Sequence, residues 1–298
     1  MRFTEDKVTE IFYLADEFSL EFLKTTERFL IGEKPKKKPK MSYSEVMTIL
    51  VLFHLGSFRN FKHFYQGYVQ RHMLDIFPQS VSYNRFVELT TQVCLPMTLF
   101  LKTCCLGQST GISFIDSTPL RVCKTKRIKR NKVFKGLATT GKSTMGWFYG
   151  FKLHLIINDK GEILNFVITQ ANVDDRQPLK NRSFVEKVHG KLYADKGYVG
   201  KELSEMLFAD GLHLITSIRN NMKNTLLELK DKILLRKRSV IETVNDELKN
   251  LCQIEHSRHR SFNNFIANTI AALIAYCFFP KKPAIKYQPV VSKQITIF

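Results

Sequence analysis

The sequence predicts an α/β layer fold preceded by a small all-α region. Three observations carry that prediction. Up to about residue 100 the apolar residues recur at helical spacing. From residue 111 short apolar runs alternate with amphipathic stretches, in the order strand, hairpin, helix, strand, helix, strand, helix. Such an order builds a sheet covered by helices. Residues 238–251 then read as a sharply two-faced helix. The 298 residues suffice for one large domain or two ordinary ones, and 44% hydrophobic content leaves ample material for a core.

Taken in order, residues 3–31 place Ile11, Leu14, Phe18, Phe22 and Leu23 on a helical face. EKPKKKPK, residues 33–40, puts two prolines among five lysines, a composition for a linker or a phosphate-contacting arm. Ser42 and Glu45 have capping-box spacing and open an apolar helix over 46–55. Short helices are expected over 60–68 and 83–93. Such a set fits a helix-turn-helix-like DNA reader, and equally a helical bundle used for dimerisation. GISFID, residues 111–116, reads as a buried strand ending in an acid. Residues 146–157 and 162–169 read as a hairpin turning at Asn158-Asp-Lys-Gly161. Residues 176–188 look helical, 191–195 form a strand ending in Asp195, and a helix at 201–209 and a strand at 212–218 follow. The apolar run 266–279 is broken by Asn268 and Thr269. It is too short and polar for a membrane span, so a core helix is expected.

The six cysteines, Cys94, Cys104, Cys105, Cys123, Cys252 and Cys277, contain no C-x-x-C pair. With no secretory signal apparent, they read as reduced thiols of a cytoplasmic protein. A zinc site from the first four has poor spacing, and buried packing is the better reading.

Charge points to the partner. Lysine plus arginine number 46 against 27 acids, a formal net charge of +19. Residues 1–100 carry 13 basic and 11 acidic residues, and 101–298 carry 33 and 16. The excess therefore lies in the second part, as for a polyanion-binding surface. Residues 121–142 hold nine basic residues and no acid: Arg121, Lys124, Lys126, Arg127, Lys129, Arg130, Lys132, Lys135 and Lys142. Phosphate binding suits such a segment better than a solvated loop. Lys223, Lys230, Lys232 and residues 236–238 form a second cluster, and Arg258 and Arg260 a third. His256 and His259, beside those arginines, suit phosphate contacts or helix-end roles better than metal ligation.

Within RSVIETVNDELK, residues 238–249, Arg238, Glu242, Asn245, Asp246 and Lys249 share one helical face. Val240, Ile241, Val244, Leu248 and Leu251 share the other. Read alone, this is an amphipathic helix with a salt-bridged solvent face. Asp116 and Asp195, each near the end of an apolar run, supply two further carboxylates. Asp116, Asp195 and Glu242 are thus the candidate catalytic and metal-holding acids. Hard carboxylate oxygens suit Mg²⁺, and no G-x-S-x-G or Walker-type motif competes. Phase leaves Glu242 and Asp246 only about 40° apart. Arg238 and Lys249 straddle the direction of Glu242.

FIDSTPL, GFKLHLIIN, ADKGY and RSVIETVNDELK together resemble the DDE transposases of bacterial insertion sequences, over roughly residues 110–278. The resemblance implies a ribonuclease H-like catalytic domain with a mixed central sheet over residues 109–279. A helical N-terminal domain over 1–108 would precede it, for DNA end binding or dimerisation, and a basic tail would follow over 280–298. The family signature around its third acid is matched by Arg238, Glu242 and Lys249. Leu235 stands where the family has tyrosine. Asp175 sits where relatives often have an acid and reads as structural. The implied activity is binding of the element's terminal inverted repeats, followed by strand cleavage and strand transfer. The implied cofactor is a two-ion Mg²⁺ site that Mn²⁺ also serves. The implied partners are double-stranded DNA, as transposon ends and target, and a second copy in a homodimeric synaptic complex. The implied location is the bacterial cytoplasm, at the nucleoid when bound, with no membrane. Rival readings are a ribonuclease H-like nuclease without strand transfer and a domesticated, non-catalytic DNA-binding protein.

Overall fold

The computed structural model describes residues 3–29, 39–217, 227–255 and 259–286. The lysine-rich stretch 33–38, Lys223, His256, Arg258 and the tail from residue 287 lie outside the described residues.

Helix α1 (Glu5–Thr26) is capped by Thr4, and α2 (Tyr43–Leu55) begins at Ser42 with both hydrogen bonds of the capping box formed. Helix α2 is buried at ten of its thirteen positions, so it is a core helix and not one free to enter a DNA groove. The helix expected over 60–68 is present as one unbroken helical run over 61–72, with a π segment in its middle. It comprises α3 (Phe61–Phe64), a π turn (Tyr65–Val69) and α4 (Gln70–His72). Helix α5 (Tyr83–Gln92) follows, then α6 (Cys94–Phe100), which runs into a π turn at Leu101–Cys105.

A mixed sheet begins with β1 (Ile112–Cys123), β2 (Thr139–Ser143), β3 (Gly146–Asn158) and β4 (Ile163–Gln170). β3 lies antiparallel to β1 on one side, and its other edge is shared by β2 and β4. The expected turn at 158–161 is present: Gly161 N–H bonds to Asn158 O, and Asn158 Oδ1 accepts the N–H groups of Lys160 and Glu162. After α7 (Arg182–Val185), strand β5 (Gly190–Ala194) pairs parallel with β1. Helix α8 (Lys201–Ala209) then leads to β6 (Leu212–Thr216), parallel to β5. Helices α9 (Leu229–Lys237), α10 (Ser239–Asn250) and α11 (Phe262–Cys277) complete the chain.

Two readings change. Strand β1 does not end at Asp116 but runs seven residues further. It can do so through Pro119 because its pairing with β5 ends at Phe114, so a proline nitrogen beyond that point breaks no ladder on that edge. The helix expected over 176–188 is broken. Pro178 opens a short 3₁₀ turn, Asn181 takes an extended backbone and caps only the four residues of α7.

The sheet is covered on both faces. Ile115, Ile156, Leu192 and Ala194 face α7 and α8 in one core. Phe114, Leu155 and Tyr193 face a larger core that includes Ile241 and Val244 of α10, Ile270 and Leu273 of α11, and Ile49 and Phe53 of α2. Helix α11 packs on α2, α5 and α6 as well as on α10. The N-terminal helices and the sheet therefore share one continuous apolar core.

Candidate active site

Strand alternation sends Phe114 to the α10 face and Ile115 to the other, and so returns Asp116 to the α10 face. Helix α10 lies over β1. Its apolar stripe, Val240, Ile241, Val244 and Leu248, is buried and fixes the helix's roll. That roll brings Asn245 down onto the strand, where its Nδ2 donates to Asp116 Oδ2 at 3.1 Å. One turn earlier Arg238 Nη2 donates to Glu242 Oε1 at 2.7 Å. The carboxyl of Asp116 is mostly buried, and this desolvation is the main reason its pKa rises from 3.8 to about 6. Arg238 opposes the rise, while the like charges of Glu242 and Asp175 add to it.

The parallel pairing of β1 with β5 ends at Phe114 and Tyr193. Asp195 follows the last residue of β5 and caps the 3₁₀ turn Lys196–Tyr198, at the end of the strand that neighbours β1. Asp195 Oδ1 accepts the N–H of Lys196 at 2.7 Å. The structure thus joins Asp116 to the Glu242 helix through Asn245, and leaves Asp195 at the end of the neighbouring strand β5. Among the described residues, no three His, Cys, Asp or Glu side chains stand close enough together to hold a metal ion. The donor chemistry nonetheless suits a hard divalent cation. Asp116 is an oxygen donor held desolvated among like charges, the setting that a bound cation relieves.

Asp175 is held from two sides. Its Oδ1 accepts from Ser117 Oγ and from Lys152 Nζ, each at 2.9 Å. Lys152 also donates to Val173 O, so the lysine ties the loop after β4 to β3. Asp246 Oδ1 accepts from Asn250 Nδ2 and looks along its own helix, away from Asp116. Lys249 is half-buried and lies 3.9 Å from Glu255, whose other oxygen accepts the N–H of Arg121. Burial holds the Lys249 ammonium below its ordinary pKa.

The basic segment leaves β1 just past a bulge at Arg121 and Cys123. All nine of its cationic side chains are exposed. It is not a loose loop. Phe134 is buried against Phe151 and Phe265, and its carbonyl accepts Tyr149 OH. Residues 139–143 return as β2, so the cations are displayed on an anchored surface.

Two contributions escaped the sequence. Asn245 reads as one more residue of a polar face, yet it is buried and supplies the contact to Asp116. Its spacing of three from Glu242 was the available signal. The Ser117–Asp175–Lys152 network joins three distant segments and leaves no local pattern.

Residues 106–262, more than half of the chain, match the family model described as the transposase DDE domain. The chain belongs to that family and is a transposase. Among solved structures it is similar to the piggyBac transposase in a synaptic complex with hairpin DNA, determined by cryo-EM. That similarity has a TM-score of 0.46 and 12% sequence identity, over 92% of this chain and 73% of that one. No curated protein matches the sequence. Among the described residues, no helix is long and apolar enough to cross a membrane.

Proposed function

We propose that this transposase binds the terminal inverted repeats of an insertion sequence and catalyses metal-dependent strand cleavage and strand transfer, with Asp116, Asp195 and Glu242 as its catalytic acids. The observation that carries the reading is the seating of α10 on β1, which sets Asn245 on Asp116 and keeps Glu242 within its electrostatic reach. The strand order β4-β3-β1-β5-β6, antiparallel then parallel, supports a ribonuclease H-like catalytic domain. The proposed division is a helical region over 1–108, a catalytic domain over 109–279 and a basic tail over 280–298.

The three acids would hold two Mg²⁺ ions, with Mn²⁺ able to substitute. When bound, such a pair supplies an activated attacking oxygen and a stabilised leaving oxygen. Asn245 orients the Asp116 carboxylate, and Arg238 holds Glu242 and offsets the local negative charge. The exposed cations of 121–142 bind DNA phosphates beside the acids, with Arg238 and Lys249 contributing from α10. The working assembly is a homodimer on paired ends.

The test is incubation of the purified protein with end DNA and Mg²⁺, scored for nicks and for joined products. Wild-type protein should give both, and Asp116→Asn and Asp195→Asn should give neither while still binding DNA. Nicks without joined products would identify a nuclease that lacks strand transfer. Binding without nicks would identify a non-catalytic DNA-binding protein.

A further inference from the structure

A second site lies where the N-terminal helices meet the start of α11. There a cleft of about 810 Å³ is lined by residues far apart in sequence, 50–90 from α2, α3 and α5, and 259–268 from α11 and the turn before it. Among the described residues, its lining contains no carboxylate. Arg59, Lys62 and Arg260 stand at its exposed rim. Amides extend from rim to floor. Asn84 is exposed, while Asn268 is more than nine-tenths buried at the floor, its side chain against that of His54. One wall carries Tyr83, with Lys62 Nζ 5.8 Å from its ring centre.

These features select a ligand class. Acid-free walls with three rim cations call for a polyanion. Shape narrows the choice, because a duplex backbone is convex and tracks open surfaces, whereas this volume lies in the range of enclosed small-ligand sites. The wall supplies an exposed amide, Asn84, beside Tyr83, and amides recognise the edges of bases. A tyrosine ring supplies a stacking surface that any base can use. One residue links the cleft to the start of the basic segment. His259, in the wall of this cleft, also borders a smaller hollow lined by Arg121, Val122 and Glu255 at the end of β1.

We propose that this cleft takes an unpaired nucleotide of a DNA strand, its base against Tyr83 and Asn84 and its flanking phosphates at Arg59, Lys62 and Arg260. The proposal rests on the DNA-binding reading above but concerns a separate site. The acids of β1 and α10 do not line it.

The experiment uses full-length protein and three labelled DNAs: a blunt duplex, the same duplex with a short single-stranded overhang, and that overhang with its bases removed. Affinity is read by fluorescence anisotropy. Base burial is read from 2-aminopurine in the overhang. Wild type should bind the overhang DNA at least about tenfold more tightly than either other DNA, with a change in 2-aminopurine emission. The double variant N84A/R260A alters two exposed residues and should lose that preference, while its melting temperature stays within error. Equal wild-type affinity for normal and base-free overhangs would overturn the proposal, since phosphates alone would then explain binding. So would an N84A/R260A protein that keeps the preference. Failure to bind even the blunt duplex would instead bring down the DNA-binding reading itself.

Discussion

Asp116→Asn should make the metal-free protein more stable at neutral pH while abolishing its chemistry. The Asp116 carboxyl titrates at about 6 instead of 3.8, chiefly because the sheet and α10 desolvate it. The folded state therefore holds this proton more tightly than the unfolded state does. By linkage, stability falls as pH rises through the window from about 4 to about 6, and stays lowered above it. A shift of about 2 units at about 1.4 kcal/mol per unit places the cost near 3 kcal/mol. An asparagine carries no charge, and its carbonyl oxygen can still accept from Asn245. At pH 7.5, in chelator, the variant should melt about 6–12 °C higher than wild type, at about 2–4 °C per kcal/mol for a chain of this size. At pH 4.5 the gain should largely vanish. His54, His154 and His259, each lowered to about 4 by burial, destabilise the fold as pH falls. They do so in both proteins, so the difference between the two curves isolates Asp116. Added Mg²⁺ should raise the wild-type melting temperature and leave the variant's nearly fixed. A variant no more stable than wild type at pH 7.5, or a gain independent of pH, would refute the reading of Asp116 as a desolvated anion.

Three further outcomes are expected. Neutralising Lys126, Arg127, Lys129 and Arg130 should reduce the slope of log affinity against log salt for duplex DNA by about 3–4; an unchanged slope would show that these exposed cations touch no phosphate. Glu242→Gln should lose nicking and joining in a Mg²⁺ cleavage assay, whereas Asp246→Asn should keep most of both, and the reverse pattern would misplace the third acid. Gly150→Ala should unfold or severely destabilise the protein in a chemical melt, because a Cβ there would lie 2.0 Å from Leu120 O in the adjacent strand; a stability change under about 1 kcal/mol would mean that β1 and β3 can separate at the bulge.

Much of the fold was legible because local chemistry and tertiary packing agree. Ser42 and Glu45 announced α2, and the Asn158–Gly161 turn announced the β3–β4 hairpin. The misses occur where partners decide. TTGKS has one small buried residue and no apolar run, yet it becomes β2 because the first half of β3 offers an open edge. Proline marks the end of most strands, but at Pro119 the neighbouring strand has already stopped. Residues 266–279 read correctly as a core helix, but which core was beyond the sequence. The helix joins α2, α5 and α6 to α10, and His54 on α2 reaches the carbonyl of Cys252 just after α10.

The site shows the same division between what periodicity can carry and what only packing supplies. Helical phase placed Glu242, Asn245 and Asp246 on one stripe and could not rank them. The ranking comes from the apolar side of the same helix. Val240, Ile241, Val244 and Leu248 are all buried, and their shapes fix how far α10 is rolled against the sheet. At that roll Asn245 faces Asp116, Glu242 sits at the edge of the contact with Arg238, and Asp246 turns to Asn250. A modest change in roll would exchange Glu242 for Asp246. Which polar side chain meets Asp116 is therefore written in the hydrophobic residues of the helix as much as in its polar ones. A substitution that shifts the packing of Ile241 or Val244 should thus impair activity beyond its cost in stability.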